Sequence, residues 1–198
     1  MFEVVRDLKD GVKKEKMMNQ TKHSGERAWL DDKVVHSILQ LPHKILRHHD
    51  VNDLPQLVLH ELSHDAHFGL HKAAYLVDNP EFDCLKGMAG FSKNECTLHR
   101  ENMWDSPHEF GNDMRDAGFY NTMKYFVQDT SVKRREVDIH NPEDLKDLGK
   151  RLGLANPSFF TWNMRHGNHG ILLFEQSQLT CARRRDLLHH ATALLSLC

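Results

Sequence analysis

Between Asp53 and Val77 the chain places histidines at positions 60, 64, 67 and 71. The spacing i, i+4, i+7 and i+11 is what a helix gathers on one face. Local signals support a helix there. Asp53 is a good N-cap, Gln56 stands three residues on as in a capping box, and Pro55 falls in the first turn, where its missing N–H costs nothing. Leu57, Val58, Leu59 and Leu62 supply an apolar stripe. Asp78-Asn79-Pro80 ends the element, because the residue before a proline is driven out of the helical region. The pattern predicts one helix over 53–77, roughly 36 Å long at 1.5 Å per residue. Gly69 is its weakest point.

Within this segment stands His60-Glu61-Leu62-Ser63-His64. On a helix His60 and His64 would aim two imidazoles at one metal ion, with Glu61 beside them as general base. The motif resembles that of zincin-type metallopeptidases. The resemblance implies a zinc ion, or another divalent metal, that lowers the pKa of a bound water so that hydroxide can attack a carbonyl. One helix face offers only two ligands to one ion, so a third must come from elsewhere. Glu95, preceded by Asn94, is the candidate. The plain alternatives are a row of histidines that is a polar stripe or a set of satisfied core groups, and a Glu95 that closes a capping box with Ser92.

The same residues support a second metal scheme. His36, the dyad His64-Asp65 and the distant Asp129 resemble the ligand set of the all-α HD-domain phosphohydrolases, which implies one or two ions and a phosphoester substrate. The two schemes share His64 and give Glu61 and Asp65 opposite importance.

Leu148, Gly149, Leu152, Gly153, Leu154, Phe159 and Trp162 fall at the spacing of an apolar, small, apolar, turn-glycine helical pair. Residues 141–166 resemble the helix-turn-helix of phage-repressor-type regulators, which implies a DNA partner met by Lys150, Arg151 and Arg165. A plain helical hairpin joined at a glycine is the alternative.

The 198 residues, 39% apolar and 27% charged, allow one domain or a domain with a small appendage, here 1–138 and 139–198. A net charge of −2 argues against a nucleic-acid-binding surface overall. The lysine-rich start and the lack of a long apolar run point to a cytoplasmic chain with no membrane partner. Four cysteines without Cys-x-x-Cys spacing indicate neither a zinc ribbon nor a redox dithiol. Only Ile171–Phe174 reads as a strand, so the expected fold is mainly α around the histidine-rich helix. The functional expectation is a divalent-metal-dependent, metallopeptidase-like hydrolase. Its alternatives are an HD-type phosphohydrolase and a non-enzymatic DNA-binding regulator.

Overall fold

A computed structural model describes residues 32, 34–64, 67–95, 103–114, 118–126, 137–176 and 182–198. The chain divides into two compact units, Met1–Leu39 and Gln40–Cys198. In the first, residues 32 and 34–39 are helical and His36 is exposed.

The second unit opens with helix α1 (40–47), which runs through Pro42. Helix α2 (Leu54–Ser63) follows, then strands β1 (Leu70–Asn79) and β2 (Cys84–Ser92) and helices α3 (Pro107–Met114), α4 (Gly118–Lys124) and α5 (Pro142–Arg151). Strand β3 (Ser158–Asn163), a 3-10 turn at Arg165–Gly167, β4 (His169–Gln176), α6 (Ala182–Thr192) and a 3-10 segment at Ala193–Leu197 complete it. All strand pairs are antiparallel, in the order β2-β1-β4-β3. The fold is therefore α+β, and the expectation of a mainly α protein with a minor strand is overturned by this sheet.

The long helix expected over 53–77 stops at Ser63, and residues 70–79 are a strand instead. Gly69 adopts a φ of +59°, which a helix cannot continue through. The strand was hidden because it is covered on both faces. Ala73, Ala74, Tyr75 and Leu76 are all buried, so β1 lacks the in-out alternation of a half-exposed strand. The same coverage makes Ile171 to Phe174 a continuous apolar run, the one strand legible in advance.

One face of the sheet carries Ala74, Leu76, Ile171 and Leu173 against Phe119 and Met123 of α4 and Leu145 and Leu148 of α5. The opposite face carries Tyr75, Phe91 and Phe160. There His60 of α2 meets Phe91, His189 of α6 stacks on Phe160, and Tyr75 reaches the C-terminal 3-10 segment. Strand β2 carries Gly87 and Gly90. A Cβ on Gly90 would lie 2.6 Å from Met123 Cγ, so the missing side chain lets α4 settle on the strand.

Candidate functional site

The His-Glu-x-x-His segment occupies the end of α2, and its side chains are committed to the protein interior. His60 is buried, with its ring edge-to-face against Phe91 at 5.3 Å and Phe110 at 5.1 Å. Glu61 accepts from Lys44 Nζ at 3.0 Å and from the Trp104 indole N–H at 3.0 Å. His67 Nε2 lies 3.8 Å from the same carboxylate. Lys44 also sits 5.5 Å above the Trp104 ring, which closes the group.

Burial by itself would raise the Glu61 carboxyl. The bonds from Trp104 and Lys44 outweigh it and hold the group below its ordinary range. Burial pushes His67 down, against the pull of Glu61, so this imidazole favours its neutral form.

The metal-binding geometry expected of His60 and His64 requires both on one helical face. His64 is the C-cap: its N–H still bonds to the His60 carbonyl at 3.1 Å, and only beyond it does the backbone leave the helix, at ψ 145°. Its ring faces His67 at 6.0 Å instead. Glu95 does not join them: its Oε2 accepts from the Phe119 N–H at 2.8 Å, at the start of α4. Among the described residues no group of three or more His, Cys, Asp or Glu is placed to hold a metal ion. The resemblance to zincin-type metallopeptidases is corrected: the described residues form an α+β fold around an antiparallel sheet and assemble no such group. The HD-type resemblance implied an all-α fold, which the sheet contradicts. Its His36 belongs to the first unit, and Asp65 and Asp129 lie outside the described residues.

The helix-turn-helix resemblance is overturned as well. Its first helix is α5, but its second is β3, paired along its length with β4. The aromatic run Phe159-Phe160-Thr161-Trp162 suits a pleated sheet better than a recognition helix. Lys150 pairs with Asp147 at 3.2 Å, Arg151 is the exposed last residue of α5, and Arg165 is exposed in the turn between β3 and β4. Lys150 and Arg151 share α5, and Arg165 lies apart from them in a turn.

A different cluster emerges where β1 ends and β4 begins. Asp78 and His169 are direct cross-strand partners, on the face that carries Ala74, Leu76, Ile171 and Leu173. Asp78 is fully buried, and His169 Nδ1 lies 3.5 Å from its Oδ2. The His140 ring stands edge-on to that of His169 at 5.9 Å and 85°. His140 is exposed in the turn before α5, with its N–H bonded to Asp138 Oδ1 at 2.9 Å. Three elements thus bring a carboxylate and two imidazoles to the polar end of an otherwise apolar core. Sequence reasoning used Asp78 only as the end of a helix and passed over His169 and His140. The available signal was a buried-type strand that finishes on an acid.

No helix among the described residues is long and apolar enough to cross a membrane. No family model matches the sequence, and no curated protein matches it. Among solved structures the chain is similar to "SdiA in complex with octanoyl-rac-glycerol", at 11% identity and a TM-score of 0.30, over 85% of this chain and 64% of that one, too slight a likeness to carry an argument.

Proposed function

We propose that residues 40–198 form a small-molecule-binding regulatory module, with Asp78, His169 and His140 as its recognition groups. The observation that supports it is the fully buried Asp78 carboxylate paired with His169 at the end of an apolar layer. Ligand sites combine apolar walls with a few convergent polar groups, and a polar side chain kept buried at a cost in stability is one mark of them. A carboxylate beside two imidazoles suits a compact ligand with an apolar body and a hydrogen-bond-donating nitrogen, such as an amine or amidine. Hydrolysis at a metal would need a ligand set that the described residues do not assemble, so binding is the reading favoured here.

The test uses the full chain. Native mass spectrometry of the purified protein is expected to detect a retained small molecule, at an occupancy at least about tenfold lower in Asp78→Asn, which is about 1.4 kcal/mol of binding. Benzamidine, an amidinium on an apolar ring, is expected to shift the ring signals of His169 and His140 in a carbon-13 NMR titration, and not to do so in Asp78→Asn. A chain that carries nothing and whose histidines ignore benzamidine has no such site.

A further inference from the structure

The Tyr75 and Trp162 side chains lie on the face of the sheet opposite the Asp78 cluster, and they hold the C-terminus. The two rings stack at 5.7 Å and 16°. Tyr75 donates its hydroxyl to the Leu195 carbonyl at 3.3 Å, and the Trp162 indole N–H donates to Ser196 Oγ at 2.6 Å. Both acceptors belong to the 3-10 segment Ala193–Leu197, which continues directly from α6. Burial pushes the Tyr75 phenol well above its ordinary range, so it remains a neutral donor.

Trp162 is seated on the backbone next to the site. It pairs with Gly170 across β3 and β4, and Asn163 pairs with His169. A Cβ on Gly170 would fall 2.2 Å from the indole Cε2, so the ring packs directly against the backbone of the residue that follows His169. The first two residues of β4 thus carry the site's histidine and the support of the indole. We infer that Tyr75 and Trp162 form a latch that ties the C-terminal segment to the sheet and passes displacement of His169 on to α6. The route is three contacts long: the Asp78–His169 pair, the indole on Gly170, and the Ser196 hydroxyl. It gives α6 and whatever follows it a physical means to respond to occupancy of the site. That regulatory meaning rests on the function proposed above, whereas the mechanical coupling does not.

Hydrogen–deuterium exchange on the full chain tests the coupling without a ligand. Ser196→Ala and Trp162→Phe are each expected to speed exchange at residues 193–198 while the amides of β1 and β4 stay protected. Asp78→Asn, at the far end of the route, is expected to speed exchange at 193–198 by about fivefold, the low end of measured site-to-site couplings. In the Trp162→Phe background the same substitution is expected to add nothing. His169→Gln replaces Asp78→Asn if the latter fails to fold. Unchanged exchange at 193–198 while residues 76–80 respond overturns the latch, and so does an equal increment with and without Trp162. A chain that retains no small molecule yet displays the coupling removes the proposed function and keeps the latch, and the reverse pair of results removes the latch alone.

Discussion

At the residue scale Glu61 is the clearest case of a chemical pattern turned to structural use. Its carboxylate is held by Lys44 and Trp104, and removing it strands an ammonium and an indole N–H in a largely dry site. Breaking a fully buried pair costs about 3–5 kcal/mol. Lys44 keeps 29% of its side chain exposed, so Glu61→Ala is expected to cost about 2 kcal/mol in urea unfolding. The pH dependence follows from the same group. Glu61 titrates below its ordinary 4.5, so its contribution is complete above that pH and is lost as pH falls through the folded value. His67 is also lowered, from 6.5. The unfolded chain takes that proton more readily, and stability falls as pH drops below 6.5. Urea midpoints are expected to decline in two stages on acidification, with His67→Asn removing the upper stage and Glu61→Gln the lower. A midpoint flat between pH 7 and 5 contradicts the buried, neutral His67. The motif was legible because it is local. The residues that seal it, Phe91, Phe110, Trp104 and Lys44, come from four other segments and leave no mark in the spacing of the motif.

At the scale of elements, the starts of α2 and α5 were legible and, apart from β4, the strands were not. Asn141 caps α5 through its side chain, accepting from the Glu143 N–H at 3.1 Å, as Asn141-Pro142-Glu143 suggests. The C-terminus of α5 closes equally locally: Leu154 N–H bonds to Gly149 O at 3.0 Å and Gly153 N–H to Lys150 O at 2.9 Å, around Gly153 at φ +77°. Asn141→Ala is expected to cost about 1 kcal/mol and Gly153→Ala about 1–2 kcal/mol. As the two ends share no partner, the double variant should unfold at the sum of the two losses. A loss in the double variant well short of that sum means the helix frays as one unit. The strands failed to register for opposite reasons. β1 carries His71, Lys72 and paired alanines near its start, which read as helix, and β2 carries glycines that read as loop until α4 is known to lie on them. β3 matched a helical apolar spacing because three aromatics in four residues satisfy either period.

For the whole second unit, the joint between α2 and the β2 edge depends on groups that sequence logic assigns elsewhere. Asp53 and Gln56 look like a capping box, yet the Asp53 side chain caps nothing in α2. It takes the Tyr120 hydroxyl, with Lys124 at 3.4 Å, and binds α2 to α4. Gln56 accepts from the Gly90 N–H at 3.0 Å and donates to the Gly90 carbonyl at 2.7 Å. β2 is an outer strand of the sheet, and its free edge presents backbone groups that need partners. The Gln56 amide supplies a donor and an acceptor where a neighbouring strand would, in a residue only 1% exposed. Gln56→Leu keeps the volume and removes both bonds, leaving two buried backbone groups at about 1–3 kcal/mol each, so a loss of about 3 kcal/mol is expected. Gln56→Glu keeps the acceptor for the N–H and sets a carboxylate against the carbonyl, and it should be worse near neutral pH than in acid, where a protonated carboxyl can donate. The discriminating measurement is the difference in unfolding free energy between Gln56→Glu and Gln56→Leu at pH 7 and again near pH 5. If that difference does not move with pH, the Gln56 amide is not serving as the missing strand, and the α2 joint rests on apolar packing alone.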